Sequence, residues 1–176
     1  MALNDFVESD GHQLIKAPIR SLNKKILKEI IEASFRELLV ENYFPFLIEN
    51  DAVVYLEAEY LGLAIIIPRL KHLKTLAVHP KYWRNGLGPA LFNAVSEDHR
   101  KLNLCSRGDR IANEKLYEGL VEEGILEEGN PFFRKDMRVY KPYYLNHTEE
   151  EKNMALAEMR KQPVAFKNNF PNHNIY

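Results

Sequence analysis

The chain has 176 residues, with 24 Lys and Arg against 25 Asp and Glu, a formal net charge of -1, 45% hydrophobic residues and one cysteine. That length suits one domain with a real core, and the balanced charge excludes a broad basic field for nucleic acid or an anionic membrane. Cys105 has no partner for an intrachain disulfide, the acidic start MALNDFVESD lacks the basic and apolar parts of a secretory signal, and no apolar run would span a bilayer, so a cytoplasmic protein is expected.

Residues 1–20 show no clear period and read as an arm or a short first strand. From Ser21, a candidate N-cap, Ile26, Ile30, Ile31, Phe35, Leu38 and Leu39 recur at helical spacing. After Pro45 the runs 52–58 and 60–68 are rich in Val, Ile, Leu and Tyr and read as a hairpin turning near Glu59 to Gly62. His72 to Val78 is a further strand, so three consecutive antiparallel strands are expected. A helix from Leu87 to about Lys101 follows, with Leu91, Phe92 and Val95 inward. Leu102 to Arg107 reads as a strand, Ala112 to Gly124 as a helix and Phe132 to Tyr140 as a last strand. Thr148 and Glu151 have capping-box spacing at the head of a charged helix that runs to about Lys161 and ends at Pro163. The polar end NNFPNHNIY reads as a tail or as a strap across another subunit. Strands interleaved with helices in this order give an α/β (α+β) fold, a mixed central sheet with helices on both faces.

The stretch LAVHPKYWRNGLGPAL, Leu76 to Leu91, carries the chemistry. A strand end, a Pro-bearing turn and two glycines precede an amphipathic run. That order places free backbone N–H groups at a helix start, where the positive end of the dipole holds phosphate oxygens. Gly86 and Gly88 let a pyrophosphate approach without meeting a Cβ and allow positive φ, and Pro89 fits the first helical turn. The P-loop pattern needs Lys and Ser/Thr where Pro89 and Ala90 stand, and the three-glycine dinucleotide pattern lacks a member. A plain strand-turn-helix connection is the alternative to an anion site.

These residues resemble the GNAT acyltransferase superfamily, whose pattern is a strand ending in V-x-P followed by Q/R-x-x-G-x-G/A at a helix start. Val78, His79 and Pro80 match the first part and Gly86, Leu87 and Gly88 the second, while Trp83 stands where Gln or Arg is usual, with Arg84 beside it. The resemblance implies acetyl-CoA as cofactor, held by Leu76, Ala77, Val78, Trp83, Arg84, Asn85, Gly86, Leu87, Gly88, Pro89 and Ala90. It also implies two central strands that splay apart to admit the pantetheine arm, a domain over 1–145 and a C-terminal helix and tail over 146–176.

LCSRGDRIANEKLY, Leu104 to Tyr117, resembles the acetyltransferase domain of N-acetylglutamate synthases, including those fused to acetylglutamate kinase. Ser106, Arg107 and Asn113 fall on that group's W-R-S-R-x-x-N-P-x-N-x-W-Y-F, as do Leu73, Ala77 and Val78 on its L-D-K-F-A-V. Cys105, Arg110, Leu116 and Tyr117 depart from it, and the family's strand Lys falls at Thr75. Lys74 lies one position earlier and should face the other way unless a bulge shifts the register. Lys74, Arg107 and Arg110 are the candidate substrate ligands, two of them guanidinium forks suited to a carboxylate; the alternatives are a salt bridge at Arg107 and a solvated loop charge at Arg110. The resemblance makes an amino-acid kinase partner, a homodimer and an arginine-biosynthetic role expectations.

Acetyl transfer from a thioester needs a deprotonated amine, a polarised carbonyl and a protonated leaving thiolate. The N–H of Leu76 or Val78 is the candidate for the carbonyl. Tyr117, where many of these enzymes carry a helix tyrosine, is the candidate acid, against a core tyrosine. Asn113 either bonds the pantetheine arm or caps its helix. Glu57 is the candidate base, with Glu59 and a water chain as alternatives; His79 reads as a turn residue and Cys105 as a buried thiol. The scattered His residues lack metal-ligand spacing, so no metal is expected. The resulting expectation is an N-acetyltransferase acting by direct attack on a small amine, an amino acid such as glutamate among them. The rivals are acetylation of a protein or peptide amine and a non-catalytic CoA-binding module.

Overall fold

The computed structural model describes residues 5–107 and 111–167. The expected N-terminal arm is a hairpin: β1 (Asp5–Ser9) pairs antiparallel with β2 (His12–Pro18) across Asp10 and Gly11, both at positive φ. As the outer strand, β1 leaves most side chains in solvent, Phe6 among them, so no apolar alternation marks it in the sequence.

Helix α1 (Lys24–Phe35) starts later and stops earlier than its apolar spacing suggests. Its N-cap is Asn23, not Ser21: Asn23 Oδ1 accepts from the N–H groups of Lys25 and Ile26, whereas Ser21 Oγ donates to the Pro18 carbonyl. Arg36 turns left-handed and ends it, leaving Leu38 exposed and Leu39 buried by other means. Pro45 lies inside a short helix, α2 (Tyr43–Glu49); in the first turn its missing N–H breaks no bond.

The central elements follow the sequence reading closely. β3 (Val53–Glu57), β4 (Gly62–Ile67) and β5 (His72–Val78) are antiparallel neighbours. α3 (Leu87–Asp98) buries Leu91, Phe92 and Val95 completely, each burial worth roughly 1.5–3 kcal/mol. β6 (Leu102–Arg107) and α4 (Ile111–Glu122) come next. The expected last strand is broken into β8 (Phe132–Phe133) and β9 (Val139–Leu145), with a two-residue β7 (Glu127–Glu128) before them. A turn held by Asp136 accepting from Arg138 N–H interrupts it. α5 (Glu149–Lys161) opens on the expected capping box between Thr148 and Glu151.

The strands form one mixed sheet in the order β1-β2-β3-β4-β5-β6-β9-β7, with β8 also on β9. One face carries α3 over Leu73, Leu76 and Leu104; the other carries α1 and α2 over Val54, Ile65 and Ala77. No helix of the described residues is long and apolar enough to cross a membrane.

Two features of this sheet position the site. β5 and β6 are parallel yet share one register pair, His72 with Asn103, after which they diverge. That root is a buried polar clamp: Asn103 donates through Nδ2 to the Leu70 carbonyl (3.0 Å), so its Oδ1 accepts from His72 Nδ1 (2.8 Å). The second feature is a bulge. Ile65 faces Thr75 but Ile66 faces Leu73, so Lys74 is the extra residue of β5.

Candidate active site

The loop after β5 presents a cradle of backbone N–H groups at a helix start. Arg84 (φ 71°) and Gly86 (φ 77°) are both left-handed, and Gly86 caps α3 without any side-chain bond to the helix amides. The N–H groups of Leu87 and Gly88 therefore stand at an open helix start, and Pro89 has none to offer. A Cβ built on Gly86 meets no atom within 4 Å, and one on Gly88 meets only Leu116 at 3.8 Å. The space beside both glycines is thus open to a bulky group, but positive φ is needed at Gly86 alone. Trp83 closes the loop onto the strand, its indole N–H donating to the Val78 carbonyl (2.8 Å) and its ring lying 5.8 Å from the Arg36 guanidinium.

The supports of this cradle come from outside the motif. The β1–β2 hairpin docks on α3 and the loop through Ser9 Oγ to the Ala90 carbonyl (2.8 Å), Asn93 Nδ2 to Asp10 (2.8 Å) and His12 Nε2 with the Asn85 carbonyl (3.2 Å). Gly62 sets the depth of the helix: a Cβ there would stand 2.8 Å from Leu87 Cδ2 and 2.9 Å from the Ala77 carbonyl. A glycine at a strand start was the only sequence signal for that contact.

Beyond the clamp, β5 turns an unpaired edge toward β6. His79 N–H donates to the Leu61 carbonyl (2.8 Å), and antiparallel alternation then gives Ala77 and Thr75 to β4 while Leu76 and Val78 face away. Val78 N–H donates to Ser34 Oγ (3.2 Å). The Leu76 carbonyl accepts from Asn113 Nδ2 (3.0 Å), so Asn113 ties α4 to β5 across the gap, and the Leu76 N–H is directed into that gap.

A cavity of about 90 Å³ adjoins the gap, and β5 contributes five consecutive residues to it, His72 to Leu76. The bulge makes this possible: it returns Leu73 and Leu76 to the α3 face while Lys74 and Thr75 both line the cavity. Lys74 is half-buried and donates to Gln162 Oε1 (3.0 Å); burial and the neighbouring charge of Arg134 push its ammonium down to about 8. Arg107, 7% exposed, also lines the cavity while its Nη1 pairs with Glu37 Oε2 (2.8 Å), whose other oxygen takes Arg138 (2.9 Å). Tyr117 reaches the cavity from α4, packed on Tyr143, and burial keeps its phenol protonated. Burial raises the Cys105 thiol as well.

Glu57 is not brought to this site. Its carboxylate accepts from the N–H groups of Glu59 (2.8 Å) and Leu61 (3.2 Å) and closes the β3–β4 turn, and Glu59 is exposed. His79 Nδ1 accepts from Lys81 N–H, a turn role. Arg110 lies outside the described residues.

The family model for NAT, the N-acetyltransferase of N-acetylglutamate synthase, matches residues 14–117, more than half of the chain. The chain belongs to this N-acetyltransferase family. A search of curated protein sequences gives no match. Among solved structures the chain is similar to diaminobutyrate acetyltransferase EctA from Paenibacillus lautus, in complex with L-2,4-diaminobutyric acid and coenzyme A. The TM-score is 0.55 at 10% identity, over 77% of this chain and 95% of that one. A GNAT-family protein from Desulfovibrio desulfuricans gives 0.50 at 17% identity, over 70% and 93%. These likenesses show the GNAT fold, with the mixed, splayed sheet that the sequence resemblance implied.

This acetyltransferase has further cavity residues that sequence reasoning missed: Arg134, Tyr140, Gln162 and Phe166. They lie after the family match, on an irregular connection, β9 and the segment beyond α5, where no periodicity or motif marks them.

Proposed function

We propose that this N-acetyltransferase moves the acetyl group of acetyl-CoA to the amine of a small acceptor whose side chain carries a carboxylate, an amino acid of the glutamate kind. The observation that carries this reading is the charge of the cavity: Lys74 and Arg134 line it, with Arg107 beside them paired to Glu37, and no Asp or Glu lines it among the described residues. Such a lining favours an anionic acceptor through charge-assisted bonds and disfavours a lysine-bearing peptide.

Acetyl-CoA supplies an activated thioester; the residues do the rest. The amides of Leu87 and Gly88, with the open space at Gly86, are the seat for its diphosphate. The Leu76 N–H is placed to polarise the carbonyl of the transferred group, and a tetrahedral oxyanion would strengthen that bond. Tyr117, held protonated by burial, is the proton donor for the departing thiolate. With Glu57 committed to its turn, the acceptor's ammonium loses its proton to solvent rather than to a cavity carboxylate. Direct attack then needs no enzyme nucleophile, and Cys105 remains a thiol.

Steady-state release of CoA thiol with paired acceptors tests the reading. Glutamate and aspartate should turn over at least tenfold better in kcat/KM than glutamine, asparagine or a lysine peptide. A preference for the peptide, or tight CoA binding without turnover, would overturn it.

A further inference from the structure

The acceptor cavity is walled on one side by chain that the family match does not cover. After α5, residues 162–167 cross back over the molecule: the Ala165 carbonyl accepts from Val40 N–H (2.9 Å), Lys167 N–H donates to the Leu38 carbonyl (2.9 Å), and the Phe166 ring packs at a tilt on Phe35, centroids 5.0 Å apart. Leu39 is buried by this strap through its bridge to Phe166. Gln162, at its head, is 6% exposed and lines the cavity.

Its carboxamide has one orientation. Lys74 offers only donors, so Oε1 must face Nζ, and Nε2 is left buried without a partner among the described residues. Arg134 donates through Nη2 to the Gln162 carbonyl, and its Nε is likewise buried and unpartnered. Two orphaned donors therefore stand beside an ammonium in one cavity. Buried N–H groups without acceptors are costly, and a ligand rich in lone pairs removes that cost.

We propose that Gln162 and Arg134, together with Lys74, form the seat of the acceptor's side-chain carboxylate, which makes the C-terminal strap a specificity element of this enzyme. The assignment rests on reading the cavity as the acceptor site. A carboxylate is acceptor-only, with about four lone-pair positions, and matches a carboxamide N–H, a guanidinium N–H and an ammonium at once. A carboxamide acceptor brings its own donors against these three groups and is rejected.

Gln162→Glu separates this role from mere covering. The new carboxylate would pair with Lys74 and Arg134 and hold the strap at least as firmly, while occupying the seat. The variant should keep the wild-type unfolding midpoint and the KM for acetyl-CoA, yet raise the glutamate KM at least tenfold and erase most of the preference for glutamate over glutamine. Arg134→Lys, which keeps the charge and removes Nε, should raise the same KM several-fold without placing a carboxylate in the seat. Unchanged glutamate KM and unchanged preference in both variants would overturn the seat alone. If the wild type acetylates neither glutamate nor aspartate, the acceptor reading itself falls and takes the seat with it.

Discussion

The proposed phosphate cradle and the proposed acceptor cavity are made in opposite ways. The cradle is local: Trp83 to Ala90 are consecutive, and what they present is backbone N–H, open space at Gly86 and a helix start. The cavity is collected from α1, β5, β6, α4, the connection before β9, β9, α5 and the strap beyond it, and what it presents is side-chain charge. Backbone donors tolerate changes of sequence that leave the turn intact, whereas a set of side chains depends on every element that carries one. A cofactor common to a whole family suits the first construction, and an acceptor that differs between members suits the second.

Glu37 should give the largest break. It is 13% exposed and holds two guanidiniums, Arg107 and Arg138, of which Arg107 belongs to the cavity. Glu37→Gln takes an anionic partner from each cation and should cost about 3 kcal/mol in equilibrium unfolding by denaturant. A loss below about 1 kcal/mol would mean the pairs are in effect solvated.

Lys74→Met should come next, with a roughly hundredfold loss in kcat/KM for a carboxylate acceptor, expressed as KM, and little change in the KM of acetyl-CoA. The native enzyme should show the same dependence in pH. Below about 8 Lys74 is charged and holds the carboxylate; as pH rises past that value it loses its proton, and the acceptor KM should climb. The variant should show a flat KM over that range, and a slope surviving in it would place the titrating group elsewhere.

Gly86→Val probes the other construction. A β-branched residue at φ 77° is strained by about 1–2 kcal/mol and also fills the open space. The KM for acetyl-CoA should rise about tenfold with the acceptor KM unchanged, the mirror of the Lys74 result. A variant that shifts both constants equally would show that the two regions are coupled. Thr148→Ala, remote from both, removes a capping box and should cost about 1 kcal/mol in thermal or denaturant unfolding with no kinetic effect.

How much was legible follows from this contrast. Leu91, Phe92 and Val95 repeat at helical spacing, and the run from Leu63 to Ile67 is continuously apolar, so α3 and β4 announce themselves. The β1–β2 hairpin does not, because its outer strand faces solvent; yet it holds the loop at Asn85 and the helix at Ala90. In the sequence Lys74 stands one residue out of register with the family's strand lysine, with a bulge as the condition for its use. The mismatch of Ile65–Thr75 with Ile66–Leu73 meets that condition. Glu57 is a candidate base from its residue type and its place on the hairpin before β5, and nothing local reveals that its carboxylate serves two turn amides.

The amino-acid order by itself determined the strand-turn-helix cradle, the order of the central elements and the family resemblance, because each rests on neighbours in the chain: periodicity, glycine freedom and the amides at a helix start. Only the tertiary structure decided which cations meet in the acceptor cavity and that the strap behind α5 supplies one wall. Those contacts join residues such as Lys74 and Gln162, 88 positions apart, and contacts at that separation are settled by packing, register and the pairing of buried charge, none of which leaves a local pattern to read.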